Sequence, residues 1–236
     1  MPEIKSLDGS TSVQQGSLTH QAIEDYLKTI YKLAREESPV TTSRLADARD
    51  VKPGSVTGMI KRLSKLQLVD YTKHQGVTLS ENGEKIALEV IRHHRLVETY
   101  LIEALGFGWD EVHEQADILE HVISEKLEEQ IAKALDYPEF DPHGAPIPTK
   151  DGFMPDFDYQ PLSALPVGAA GVVSRVRNEN DGALLRYVAE LGLKPGAAFT
   201  VLKVPPFQEP MTLQIEQEKI TVGHRVASAV LVTLTN

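Results

Sequence analysis

Across 236 residues the chain carries 24 Lys/Arg against 34 Asp/Glu, a formal net charge of −10, with 41% hydrophobic residues and no cysteine. That length admits more than one ordinary domain, and the composition is that of a soluble globular protein. Without cysteine there are no disulfides, no thiolate catalysis and no cysteine-built zinc or iron–sulfur sites. No apolar run approaches the roughly 20 residues that span a bilayer and no signal-peptide pattern opens the chain, so a cytoplasmic protein is expected.

Residues 1–17 are polar, rich in Ser and Gln, and aperiodic, and read as a mobile arm. From Gln21 to Ala34, Ile23, Tyr26, Leu27, Ile30 and Leu33 recur at helical spacing, with Thr19 a candidate N-cap. Thr41-Thr42 can cap a second short helix carrying Leu45 and Ala46. Pro53 suits the first position of a third, which turns Val56, Ile60 and Leu63 inward. Val69 and Tyr71, a turn at Lys73-His74-Gln75-Gly76, then Val77 and Leu79 alternate like a hairpin. Three helices and a basic-tipped hairpin in about 60 residues are the winged helix-turn-helix pattern, whose third helix enters the major groove. Lys52, Ser55 and Thr57 suit the base- and phosphate-facing end of that helix. Arg44, Lys61, Arg62 and Lys73 suit backbone neutralisation.

Two long helices are expected next, at about 80–105 and 109–135, separated by Gly106-Phe107-Gly108. On the second, Val112, Ala116, Leu119, Ile123 and Leu127 form one apolar stripe, while Ile118 and Val122 lie on another side. A helix apolar on two sides favours a subunit interface, hence a homodimer. Residues 136–160, rich in Pro, Asp and Gly, read as a linker or irregular surface segment. Beyond it, β-branched runs at Val167–Val176, Phe199–Val204, Met211–Ile215, Lys219–Val222 and Ala229–Leu234, with one helix at Ala183–Leu191, suggest a small β-barrel.

Charge follows this order. Residues 20–80 hold ten Lys/Arg against seven Asp/Glu; residues 81–143 hold five against sixteen. A mildly basic block followed by a strongly acidic one suggests an anionic partner and then a cationic one. The acidic block concentrates ligands: at 3.6 residues per turn His113, Asp117, Glu120 and His121 fall within about 100° of arc, and His94 and Glu98 are (i, i+4) neighbours. Three imidazoles and three carboxylates can build a divalent-cation site of nitrogen and oxygen alone. Such donors suit Mn²⁺ first and Fe²⁺ second. His93 is assigned to no site.

The chain resembles the diphtheria toxin repressor family, and within it the manganese-responsive members. The motifs are Ile23-Glu24-Asp25-Tyr26-Leu27-Lys28-Thr29-Ile30-Tyr31, Arg92-His93-His94-Arg95-Leu96-Val97-Glu98, Leu119-Glu120-His121-Val122-Ile123-Ser124 and Asp141-Pro142-His143-Gly144 through Pro146-Ile147-Pro148. The resemblance implies a metal-dependent repressor that binds a palindromic operator as a dimer and controls metal-ion transport genes. It implies about two ions per subunit. One is held by Asp25, Asp117, Glu120 and His121; the other by His94, Glu98 and His113, with Glu179 and Asp181 of the barrel as further candidates. Carboxylates at Asp25 and Asp117 match the manganese sensors, whereas Lys28 stands where some of them place another carboxylate. The implied fold is mainly α with a small β domain: a mobile arm at 1–19, a winged helix-turn-helix at 20–80, a helical metal-binding and dimerisation domain at 81–148, a linker at 149–160 and a Src-homology-like β-barrel at 161–236. Two other readings compete: a winged-helix regulator that needs no metal, and a two-metal hydrolase.

Overall fold

The computed structural model describes residues 10–177 and 181–235, with side chains from His20 onward. The chain divides into two compact units, one through Ile91 and the other from Arg92. No helix among the described residues is long and apolar enough to cross a membrane.

In the first unit α1 spans Ser10–Ala34, α2 Thr42–Arg49, α3 Pro53–Lys65, β1 Val69–Thr72 and β2 Gly76–Leu79, and α4 (Glu81–Leu105) begins. The helix expected from Gln21 starts eleven residues earlier, so Thr19 lies within it and residues 10–17 are helical; residues 1–9 lie outside the described part. Thr41 caps α2, its hydroxyl accepting the Arg44 amide at 3.2 Å, and Asp50 ends it in the left-handed conformation. Pro53 opens α3, where a missing N–H costs nothing. Val56, Ile60 and Leu63, one helical face, are wholly buried and each contributes about 1.5–3 kcal/mol. β1 and β2 pair antiparallel from Val69 opposite Leu79 to Thr72 opposite Gly76, and Val40 adds a bridge to Val77. Gly76 has φ 127°, and a Cβ there would lie 2.6 Å from the Val40 carbonyl oxygen, so only glycine fits.

In the second unit α4 continues and is followed by α5 (Val112–Leu119) and α6 (Glu125–Ala134). The single helix expected at 109–135 is therefore two. Glu120 to Ile123 form the break, and Ser124 restarts the helix by accepting the Leu127 amide at 3.3 Å. α4 packs Val97 and Leu101 against Val112 and Ala116 of α5, and Leu96 against Ile131 and Ala132 of α6 and Ile147.

Ile147 belongs to the segment read as an irregular surface linker, and here the structure differs. Asp141, His143, Ala145 and Ile147 are all buried. Asp141 Oδ1 accepts the amides of His143 (2.8 Å) and Ala145 (2.9 Å), folding the loop on itself. Gly144, at φ 83°, then lies so close to the backbone at Ser174 that a Cβ would be 1.9 Å from the Ser174 carbonyl oxygen.

Six strands close the chain: β3 Gln160–Pro161, β4 Ala170–Val176, β5 Ala198–Lys203, β6 Met211–Ile215, β7 Glu218–Val222 and β8 Val230–Leu234. They form one antiparallel sheet in the order β3-β8-β4-β5-β6-β7. Irregularities in register at Val173/Arg175 and Val201/Lys203 let it bend around an apolar core that includes Leu185, Val188, Phe199 and Leu213. α7 (Gly182–Glu190) matches the expected helix, and α8 (His224–Ala229), which sequence periodicity did not reveal, is only six residues long. The fold class is the expected one, mainly helical with a small C-terminal β domain.

Candidate metal centre and DNA-binding surface

Within the second unit, α4 carries the middle of the ligand cluster. His94 Nδ1 lies 2.5 Å from Glu120 Oε2 and 3.3 Å from Asp117 Oδ1. Its Nε2 lies 3.0 Å from Glu98 Oε1 and 2.9 Å from His113 Nδ1, which is itself 3.0 Å from the same Glu98 oxygen. His113 Nε2 faces Asp117 Oδ2 at 3.6 Å, and His121 Nε2 faces Glu120 Oε1 at 3.3 Å. All six acidic-block candidates are thus linked by contacts. His94, Glu98, His113 and Glu120 are buried, whereas the Asp117 side chain is half exposed. The break after α5 matters, because it places Glu120 and His121 at a helix end and frees them from strict helical spacing.

The second Glu98 oxygen leads to residues that sequence reasoning left out of the site. Glu98 Oε2 and His143 Nδ1 are buried 3.7 Å apart, and neither has a hydrogen-bond partner. Ligand atoms of Glu98, Asp141 and His143 lie within 4.8 Å of one another, as do those of His94, His113 and Asp117. Burial raises the Glu98 pKa, but the facing His94, His113 and His143 rings outweigh it and hold the carboxyl well below its usual range. Burial disfavours a charged His143 ring, yet Glu98, with Asp141 and the Trp109 carbonyl, prevails and lifts its pKa to about 9. An Asp-x-His pair ahead of a buried Ala-Pro-Ile was the signal, masked by the loop-like composition around it.

His94 shows how such a cluster favours a cation. With carboxylate oxygens against both nitrogens, every short contact is a hydrogen bond only if the ring donates from both sides. A metal ion among the same atoms replaces protons with a charge that several ligands share. The orphaned Glu98 oxygen and His143 nitrogen, with donors limited to nitrogen and oxygen, fit a divalent ion.

The other sequence candidates are Asp25, Glu179 and Asp181. Asp25, on α1, accepts a hydrogen bond from Arg49 Nη2 at 3.0 Å. Asp181 is engaged as the N-cap of α7, accepting the Leu184 amide at 3.0 Å, and as an ion-pair partner of Arg225 at 2.6 Å. That is a structural role, and Glu179 lies outside the described residues. His93 does not face solvent: it is buried, its Nδ1 lying 3.2 Å from the Glu120 carbonyl oxygen.

On the first unit Lys52, just before α3, and Ser55, Lys61 and Arg62 along it are exposed, and Lys73 is exposed in the hairpin turn. Thr57 is half buried and its hydroxyl donates to the Pro53 carbonyl at 3.0 Å. Arg44 is held by Glu36 (2.7 Å) and Glu37 (3.1 Å).

Comparison with known proteins follows this division. Residues 18–77 match a family profile described as the iron dependent repressor N-terminal DNA binding domain, residues 80–149 its metal binding and dimerisation domain, and residues 160–234 the FeoA domain. The iron-dependent repressor IdeR of Mycobacterium tuberculosis (strain H37Rv) is 33% identical over 221 residues, covering 89% of this chain and 95% of that protein. The chain belongs to the iron-dependent repressor family. A solved manganese-dependent transcriptional repressor in complex with manganese is 35% identical, with a TM-score of 0.81 over 90% of this chain and all of that one. The regulator MntR of Oceanobacillus iheyensis is 33% identical over 116 residues, 49% of this chain and 78% of that protein. Relatives in the iron-dependent repressor family are metal-dependent DNA-binding repressors and not enzymes, which removes the hydrolase and metal-independent readings.

Proposed function

We propose that this family member is a cytoplasmic repressor that binds a palindromic operator as a homodimer when loaded with Mn²⁺, or less selectively Fe²⁺, and so controls metal-ion transport genes. The observation that carries the reading is the buried cluster of His94, Glu98, His113 and Glu120, whose donors are nitrogen and oxygen without sulfur. Asp117, Glu120 and His121 would hold one ion with Asp25 as a further ligand. His94, Glu98 and His113 would hold a second, and Asp141 and His143 are candidates to complete its shell. When bound, the ions supply the positive charge that offsets this acidic cluster.

Asp25 lies on the first helix of the DNA-binding unit, so a ligand role there lets that unit respond to the ion. A dimer reading a two-fold operator needs its recognition helices about 34 Å apart. Ion binding biases the protein toward that competent form, and operator DNA tightens ion binding by the same factor. Titrating EDTA-treated protein with Mn²⁺ against a labelled operator, read by fluorescence anisotropy, tests this. DNA affinity should rise with Mn²⁺ and fall again on chelation. Equal affinity with and without the ion refutes the proposal.

A further inference from the structure

Asp25 is not waiting for a cation: the first unit already supplies one. Arg49, the last residue of α2, donates from Nη2 to Asp25 Oδ2 at 3.0 Å. Both side chains are about a quarter exposed, so the pair is only partly screened by water. The guanidinium also sits over the Tyr26 ring, 5.4 Å from its centroid, which fixes its plane beside α1. Yet its Nε is buried with no hydrogen-bond partner. The arrangement is specific but incompletely satisfied, so releasing it is cheaper than breaking a fully bonded pair.

We infer that Arg49 is a resident counter-cation that competes with the metal for Asp25 and thereby sets the ion concentration at which the protein responds. This rests on the reading of Asp25 as a ligand. A divalent ion on the Asp25 carboxylate must displace the guanidinium from its oxygen or sit against a like charge, and either lowers affinity. Arg49 also ends the helix that precedes α3, with only Asp50 to Lys52 between them. Exchange of arginine for metal at Asp25 therefore changes what holds α2 against α1, next to the helix that reads DNA.

Two neutral replacements, Arg49→Gln and Arg49→Met, keep an unbranched stem like that of arginine and remove the competing charge; Arg49→Lys keeps the charge. By isothermal titration of the full-length EDTA-treated protein with Mn²⁺, both neutral variants should bind about five-fold or more tightly, and reach half-maximal operator binding at correspondingly lower Mn²⁺. Arg49→Lys should stay within about two-fold of the unmodified protein, since its point charge still opposes the ion. Metal-free melting and far-UV circular dichroism show which variants are folded, and one folded neutral variant suffices. Unchanged or weaker Mn²⁺ binding in a folded neutral variant overturns the inference, because Arg49 would then be positioning Asp25 for the ion. Asp25→Asn separates the two levels. If it leaves Mn²⁺ affinity intact, Asp25 is no ligand and the inference falls with that reading. If it weakens Mn²⁺ binding while the neutral Arg49 variants change nothing, only the role of Arg49 is refuted.

Discussion

Glu98→Gln removes the charge that three imidazoles face while keeping shape and volume. Glu98 is wholly buried, with His94 and His113 each 3.0 Å from one oxygen and His143 3.7 Å from the other. In metal-free protein the cost is read most cleanly through His143. Its pKa rises from 6.5 to about 9 on folding, with Glu98 the main cause opposing burial. At 1.36 kcal/mol per unit, that contributes roughly 3 kcal/mol of stability. A group whose pKa is raised by folding stabilises fully below its unfolded value, and that contribution disappears as pH climbs through about 9. Glu98 itself is held low, so its own contribution is present above its ordinary 4.5 and lost on acidification. The variant should therefore melt about 6–12 °C below the unmodified protein at roughly pH 5.5, where both contributions are present, and the gap should shrink to a few degrees near pH 9.5. Thermal melts of both proteins in EDTA, followed by circular dichroism at the two pH values, measure it. An equal gap at both, or no gap at the lower, refutes the role assigned to Glu98.

Asp25→Ala should abolish most of the Mn²⁺-dependent gain in operator affinity while sedimentation still reports a dimer, since the change is confined to α1. Arg62→Ala and Lys73→Ala, which remove exposed charges from α3 and the hairpin turn, should each weaken operator binding and reduce the slope of log affinity against log salt by about one. Unchanged slopes would take these residues off the phosphate backbone. Val122→Asp places a charge beside Ile118 on a strongly exposed apolar face, 72% and 64% exposed respectively. If this face is the dimer contact, the variant should sediment as a monomer at concentrations where the unmodified protein is dimeric.

The DNA-binding unit was legible because its signals are local. Threonine at a cap, proline at a first turn and apolar residues at fixed spacing announce α2, α3 and the hairpin without reference to the rest of the chain. Failures occurred where tertiary contacts decide. Val112, Ala116, Ile123 and Leu127 keep helical spacing across the break at Glu120–Ile123, so periodicity ran straight through it, although Ser124 offered a cap. Pro, Asp and Gly made residues 141–148 look solvated. They are buried because Asp141 supplies the loop's amides with an acceptor and Gly144 lets it approach Ser174. Asp181 shows how a residue type capable of ligation can be engaged locally, here as the cap of α7. The pairing of Asp25 with Arg49, 24 positions apart, leaves no local trace at all.

The sequence splits the ligands into two sets, but His94 belongs to both neighbourhoods. One of its nitrogens meets Glu98 and His113, the other Glu120 and Asp117. A neutral imidazole has one lone pair, so it can ligate an ion on one side only and must donate a hydrogen bond on the other. If the ion sits with Glu98 and His113, the Nδ1 proton is committed to the Glu120 carboxylate, fixing that side chain's orientation and spreading its charge. If instead His94 turns its lone pair toward Glu120 and Asp117, Glu98 loses a ligand partner and keeps a donor. The two proposed ions therefore share a tautomer. In that two-ion reading, filling one site would select the form of His94 that the other site meets, and their affinities would be linked through a single ring without any movement of the backbone.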